Sequence, residues 1–434
     1  MAGEIIAFAG VHLWDRLVGA VTEDADGVIT FEYDEAFRRS GWEVSPVHLP
    51  LSLRGPVVFP ELRRQSAFEG LPGVLADSLP DRFGNVIIRR YFEDRGMPDR
   101  ALSPVQKLLY IGTRAVGALE YRPPEQLPHR PGEDLPLEIA ELVREARVVV
   151  EGRTEVAIPE MMRVGVSAGG MRPKAVVLWN AKSGELRSGH AAPRPGDEAW
   201  ILKFDGVAPV GSDEPGEQVE QAPQPYMRVE HAVMELGRRA GLDVAETRQI
   251  RERDYAHLLV RRFDRENGGK LHQHTLGGLQ HVDFNMPGAF SYEGLLRTVL
   301  RLELGHPALE EAYARMVFNV AVVNQDDHVK NTSFLLDPDR GWRLSPAYDL
   351  TYAQGTGWTR LHQMSVRGKR EGIERADLEA VGREFGLRRN GAPIIERVTA
   401  ALGEWEEVAA DAGVPERAIT GIRRAMRERG LANE

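Results

Sequence analysis

The spacing of apolar residues changes character twice along the chain, and each change marks a region. Up to about residue 125, short alternating runs such as Ile5 to Leu13 and Gly27 to Tyr33 predict strands. They are mixed with a helical stretch near Asp81 to Asp94, which places Ile87, Ile88, Tyr91 and Phe92 on one apolar face. The Pro-rich stretch Arg122-Pro-Pro-Glu-Gln-Leu-Pro-His-Arg-Pro reads as a linker. From 138 to 285 strands and helix alternate: Val176 to Trp179 and Trp200 to Phe204 as strands, Glu230 to Ala240 as a helix stopped by Gly241, and Ala256 to Arg262 as a buried strand. Gly206 to Pro225, rich in Pro, Gly and acid, reads as a mobile loop. From 286 to 434 helical spacing dominates, with a strongly apolar run Leu309 to Val323 and amphipathic segments at 374–387 and 393–411. The exception there is Thr332 to Leu350, whose turn Asp337-Pro-Asp-Arg-Gly341 predicts a hairpin.

Composition narrows the class. A chain of 434 residues that is 42% hydrophobic can bury a core in each of two or three domains. A net charge of -10 argues against coating nucleic acid by bulk electrostatics. With no cysteine the fold has neither disulfides nor thiolate-held zinc, and a reducing cytoplasm is the expected location. The start Met1-Ala-Gly-Glu-Ile-Ile carries no basic region ahead of an apolar run, so no signal peptide is expected. No run of roughly 18 apolar residues suggests a membrane span. Only seven of the 55 basic residues are lysine, so each lysine marks a candidate place where arginine serves poorly, as around a phosphate.

The chemistry concentrates in Asn324-Gln-Asp-Asp-His-Val-Lys-Asn331, followed by Pro346-Ala-Tyr-Asp-Leu350. Asp326 and Asn331 are five positions apart, and the predicted hairpin brings Asp349 back beside Asn331. Phosphoryl transfer uses such a set: one Asp takes the proton of the attacking hydroxyl, while an Asn and a second Asp hold Mg²⁺ on the ATP phosphates. Taken alone, Asp326, Asp327 and Asn331 could equally cap a helix and fill a polar turn. Lys203, in the apolar strand Trp200-Ile-Leu-Lys-Phe204, reads as an edge residue or as the lysine that meets ATP phosphates and pairs with a helix glutamate, for which Glu230 is available. The loop Gly165-Val-Ser-Ala-Gly-Gly-Met-Arg-Pro-Lys174 enters a strand, so it is no Walker A loop, but its glycines would let backbone amides approach phosphate. Val260-Arg-Arg-Phe-Asp264-Arg ends a strand where a kinase hinge would read adenine, with Asp264 near the ribose. Lys330 reads as a charge steadying the γ-phosphate or as a surface ion pair. His272-Gln-His274 reads as two surface histidines in preference to a metal site.

These residues together resemble the HipA family of serine/threonine protein kinases, the toxins of toxin–antitoxin modules. The resemblance is carried by Ser167-Ala-Gly-Gly-Met-Arg-Pro-Lys174, Ile201-Leu-Lys-Phe204, Val229-Glu-His through Arg239-Ala-Gly-Leu242, Val260-Arg-Arg-Phe-Asp-Arg265, Asp326-Asp-His-Val-Lys-Asn331 and Ala347-Tyr-Asp-Leu350, with Leu79-Pro-Asp-Arg-Phe-Gly84 in the N-terminal region. It implies an α+β, bilobal, protein-kinase-like fold: a small N-terminal α/β subdomain (1–125), a mixed β/α N-lobe (138–285) and a mostly helical C-lobe (286–434). It implies Asp326 as catalytic base with Lys330 beside it, and Asn331 and Asp349 as Mg²⁺ ligands. ATP would be held by Ser167, Ala168, Gly169, Gly170, Lys203, Glu230, Arg261, Arg262, Phe263, Asp264 and His328. Ser167 falls where the family carries its autophosphorylated serine. The resemblance further implies a protein substrate, with an aminoacyl-tRNA synthetase as the known type, and a HipB-like helix-turn-helix antitoxin through which alone DNA is met. Two departures stand out: Arg261 replaces an acidic residue, and the Gly-Gly-Met-Arg-Pro loop has different side chains. A small-molecule phosphotransferase, and a catalytically silent scaffold that binds antitoxin and DNA, are the competing readings.

Overall fold

The computed structural model describes residues 4–80, 82–93, 102–123, 136–150, 173–207, 225–266 and 268–431. The chain forms two compact units, one from residues 1–224 and 250–274 and the other from 225–249 and 275–434.

Among its described residues the first unit holds two larger antiparallel sheets besides a two-stranded ribbon of Arg265–Glu266 and Gly269–Lys270. One has the order β3-β2-β1-β4, built from β1 (Ile5–Leu13), β2 (Arg16–Asp24), β3 (Ile29–Tyr33) and β4 (Leu119–Arg122). Ala9, Val11 and Leu13 alternate inward along β1, and Val21 and Phe31 join them. Trp14 and Asp15 both take positive φ in the two-residue turn from β1 to β2, the mirror-image turn that suits hairpin twist. Gly19 is required in β2, because a Cβ there would lie 2.2 Å from the Glu32 carbonyl oxygen.

The second sheet runs β6-β5-β7-β9-β8, from β5 (Lys174–Asn180), β6 (Leu186–Ser188), β7 (Asp197–Lys203), β8 (Thr247–Glu252) and β9 (Tyr255–Arg261); β8 joins this unit from Ile250 onward. Ala175, Val177, Trp200, Leu202 and Leu259 share one core with Phe83 and Ile87 of the helix Arg82–Glu93 and with Leu142 and Ala146 of the helix Ile139–Val150. Period-two alternation therefore sends Lys203, next to Leu202, to the other face of the sheet.

The two histidines expected at the surface are instead fully buried. The His272 Nε2–H donates to the Val44 carbonyl at 2.9 Å, while His274 contacts the Ser45 hydroxyl at 3.0 Å and Asp77 Oδ2 at 2.6 Å. A strand with one polar face looks surface-bound in sequence, but here three partners from residues 44–77 supply the hydrogen bonds that make burial tolerable.

In the second unit the helix Tyr226–Arg239 ends as expected. Gly241, at φ 77°, donates to Arg238 O and Leu242 donates to Gly237 O, which closes the last turn. The long helix His306–Ala321 leads into the predicted hairpin, Ser333–Asp337 and Gly341–Leu344, whose turn is set by Asp337 Oδ1 accepting from the Asp339 and Arg340 N–H groups. The amphipathic segment expected at 393–411 forms two helices, Ala392–Leu402 and Trp405–Asp411, separated at Gly403-Glu404. They lie between the helices Arg375–Glu384 and Glu416–Glu428. No helix among the described residues is long and apolar enough to cross a membrane.

Burial lowers the His272 pKa to about 4, helped by neighbouring His274. Burial and the cations of Arg114, Arg262, Arg265 and Lys270 lower His190 to about 3. Each ring binds a proton in the unfolded chain near pH 6.5 but not in the folded one, so stability is full above pH 6.5 and falls as pH drops towards the folded value. We predict that urea denaturation from pH 6.5 to 4 shows the wild type losing on the order of 1 kcal/mol per pH unit more than His272→Gln.

Candidate active site

The catalytic-loop candidates begin where the helix His306–Ala321 runs out. Val323 adopts φ 59°, a conformation that costs a β-branched residue of order 1–3 kcal/mol. Backbone bonds hold it there: Ala353 N–H donates to Val323 O at 3.1 Å, and Gln325 N–H donates to Ala353 O at 2.9 Å. A buried polar chain braces the same turn. Asn324 Nδ2 donates to Asn319 Oδ1 (2.9 Å), Asn319 Nδ2 to the Tyr292 hydroxyl (3.0 Å), and that hydroxyl to Asp327 Oδ2 (2.7 Å). Burial, with the Asp327 charge beside it, raises the Tyr292 pKa well above its ordinary value, so it stays a donor.

Two consecutive carboxylates then do opposite things. The Asp327 side chain is fully buried and also accepts from His362 Nδ1 at 2.9 Å and from the Gln363 N–H at 2.7 Å. The Asp326 side chain is 40% exposed, and its Oδ1 accepts from the Trp358 indole N–H at 2.8 Å. Asn331 donates its amide N–H to the Asp326 carbonyl at 2.9 Å, which turns its own Oδ1 the other way; among the described residues that oxygen accepts nothing. The hairpin closes the set, because the Tyr348 hydroxyl donates to the Lys330 carbonyl at 2.6 Å. Asp349 and Asn331 thus each follow directly on one end of the same hydrogen bond. Asp349 itself takes φ 54°. Lys330 Nζ lies 4.7 Å over the Phe284 ring, and the His328 ring stands 5.5 Å from that same ring. Asp326, His328, Lys330, Asn331 and Asp349 therefore come together within the second unit, and the oxygen donors among them suit a hard divalent cation.

The remaining candidates are described within their own unit. Lys203 ends β7, directly across the ladder from Lys174 of β5. Like charges opposite one another disfavour a sheet unless an anion or a counter-charge relieves them. Lys174 reads in sequence only as the end of the glycine-containing loop, because the strand was expected from Val176, and that hid the pairing. Arg261, opposite Trp200, pairs with Glu198 at 3.0 Å, and the Arg262 N–H is spent on the Ala199 carbonyl. Phe263 follows in the turn after β9.

Asp264, expected near a ribose, has both oxygens engaged inside the protein. It accepts from Arg262 Nε (3.0 Å) and NH2 (2.6 Å), from Arg265 (2.5 Å) and from the Gly117 N–H (2.8 Å). Burial alone would raise its carboxyl; Arg262 and Arg265 outweigh that and hold it well below the usual carboxylate range. Glu230 is buried in the second turn of the helix Tyr226–Arg239, in the other unit from Lys203. Ser167, Ala168, Gly169 and Gly170 lie outside the described residues, as do residues 208–224 of the predicted loop.

Over residues 166–422 the chain matches the family model described as the HipA-like C-terminal domain, and over residues 9–122 that of the HipA N-terminal domain. It is 26% identical over 358 residues to a Sinorhizobium fredii protein named "Putative kinase Y4dM", covering 78% of this chain and 76% of that protein. A second S. fredii protein, "Putative kinase Y4mE", is 27% identical over 354 residues, 78% of this chain and 75% of its own length. The solved HipA of Shewanella oneidensis MR-1, in complex with HipB and operator DNA, aligns with a TM-score of 0.65 at 18% identity and covers 98% of this chain and 96% of that one. The expected mixed α/β, kinase-like fold is thus the fold of this chain.

The contacts of Asp264 predict a structural phenotype. Asp264→Ala leaves two arginines without their buried partner and should lower unfolding free energy by about 3–5 kcal/mol, measured by urea denaturation at pH 7.

Proposed function

We propose that this chain, which belongs to the HipA family, is an ATP- and Mg²⁺-dependent protein kinase acting on serine or threonine, and that it serves as the toxin of a toxin–antitoxin module. The observation that carries this reading is the grouping of Asp326, Asn331 and Asp349, in which the Tyr348–Lys330 hydrogen bond joins the two metal-ligand candidates and Asn331 keeps an unspent oxygen.

In this reading the substrate hydroxyl gives its proton to Asp326 as its oxygen bonds to the γ-phosphorus. The bond to the β,γ-bridging oxygen breaks and ADP leaves. Asn331 and Asp349 would hold Mg²⁺, which when bound neutralises charge on the transferring phosphoryl group. Lys203 would hold phosphates in partnership with Glu230, and the register pairing supports Lys174 as a second phosphate-facing ammonium. His328 and Lys330 would sit at the γ-phosphate side. Arg261, Arg262, Phe263 and Asp264 would form the adenine-side segment, with Asp264 holding it in shape. Ser167, with Ala168, Gly169 and Gly170, would cover the phosphates, and its own phosphorylation would switch the enzyme off.

The match to a HipA N-terminal domain favours a protein substrate over a drug-sized one, because phosphotransfer to a small molecule has no evident use for it. A HipB-like antitoxin is the proposed partner, supported by the related S. oneidensis complex, with DNA reached through it in the cytoplasm.

The test is incubation of wild type and Asp326→Asn with labelled ATP and Mg²⁺, followed by peptide mapping. Wild type should label itself at Ser167, and the variant should transfer phosphate about 10²–10⁴-fold more slowly. Wild type that binds no MgATP favours the silent scaffold, and label moving only to a small-molecule acceptor favours the other phosphotransferase reading.

A further inference from the structure

Trp358 stands in a short 3₁₀ turn of the segment that follows Asp349, and its indole N–H donates to Asp326 Oδ1 at 2.8 Å. The turn is tied down at its backbone. Gln363 Nε2 donates to the Trp358 carbonyl at 2.8 Å and to the Gln325 carbonyl at 3.1 Å, while the Gln363 N–H donates to Asp327 Oδ1 at 2.7 Å. A path of hydrogen bonds therefore runs from the buried Asp327 carboxylate through Gln363 to Trp358 and back to Asp326.

We infer that Trp358 is a positioning residue for Asp326, selecting which of its two oxygens acts on the substrate. This inference rests on the kinase reading above. A half-exposed aspartate on a loop can rotate its carboxylate, and either oxygen could then accept a proton. An indole N–H is a donor with no acceptor capacity, so it neither takes the proton nor exchanges roles with the carboxylate. With Oδ1 occupied, Oδ2 is the oxygen that accepts no hydrogen bond among the described residues. His328 Nε2, 3.9 Å from Oδ1, lies on the same oxygen and leaves Oδ2 alone as well. Fixing one rotamer before the substrate arrives is preorganisation, and it raises the rate of transfer without adding any contact to nucleotide.

The test compares full-length wild type with Trp358→Phe, which keeps the ring and removes the N–H. Phosphate transfer should show kcat reduced about tenfold or more, the range for losing a hydrogen bond to a charged group. The KM for ATP, the Kd for ADP by calorimetry and the unfolding midpoint should stay within twofold or a degree or two of wild type. A second measurement does not depend on turnover: the Trp358 indole ¹⁵N–¹H signal, assigned by its absence in Trp358→Phe, should shift and lose exchange protection in Asp326→Ala. Equal kcat in wild type and Trp358→Phe, a loss explained wholly by weaker nucleotide binding or lower stability, or an indole signal indifferent to Asp326→Ala overturns the inference and leaves the kinase reading standing. Wild type that transfers no phosphate overturns the kinase reading, and the positioning role falls with it.

Discussion

Asp327 gathers three donors from distant stretches of chain onto one buried carboxylate: the Tyr292 hydroxyl, the His362 ring and the Gln363 N–H. A carboxylate out of water is tolerable only when its lone pairs are spent, so these partners are obligatory once the residue is inside. Their effect is geometric. They fix the chain just after the left-handed turn at Val323 and draw the 362–363 segment onto the loop, so that the preceding residue, Asp326, must face out. The strain at Val323 and the desolvation of Asp327 belong to one arrangement, in which a rigid polar interior holds the Asp326 carboxylate at the boundary with solvent.

The first unit meets a related problem with cations. Arg262 and Arg265 converge on Asp264, whose remaining acceptor capacity goes to Gly117, and the strand end stays ordered because no member of that cluster lacks a partner. Lys174 and Lys203 bring like charges together instead. Ladder register places two ammonium-bearing residues opposite each other at one end of the sheet, in a chain that otherwise uses arginine nearly everywhere. A compact ammonium suits phosphate as a point charge, whereas paired guanidinium groups would demand planar partners.

Much of the candidate site was legible because it is local. Asp326 and Asn331 sit within one turn of chain, and the Asp337-to-Gly341 turn announces the hairpin that returns Asp349. The Gly241 helix stop and the strand carrying Lys203 follow from the same short-range rules. What escaped depends on contacts far apart in sequence. Asp327 looks interchangeable with Asp326 until Tyr292 and His362 are known to converge on it. Trp358 reads as one more loop aromatic, and its role exists only through a partner 32 residues away. The burial of His272 and His274 rests on Val44, Ser45 and Asp77, which no periodicity links to them. β2 was passed over because Gly19-Ala20 breaks its alternation, although it is the close approach of Glu32 that calls for the glycine.

Ser45, His274 and Asp77 show why geometry needs burial beside it before it means chemistry. A hydroxyl, an imidazole and a carboxylate stand in the order of a charge-relay triad, with contacts of 3.0 and 2.6 Å, yet the serine and histidine are buried and no substrate carbonyl could reach the hydroxyl. The group acts as a brace inside the first unit. Asp327 with His362 repeats the carboxylate–imidazole pair in the second unit, again fully enclosed. Asp326 differs from both by keeping one oxygen unspent and a good part of its side chain in solvent. A carboxylate whose acceptors are all used has nothing left with which to take a proton, so among these acids the least buried is the one fitted to act as a base.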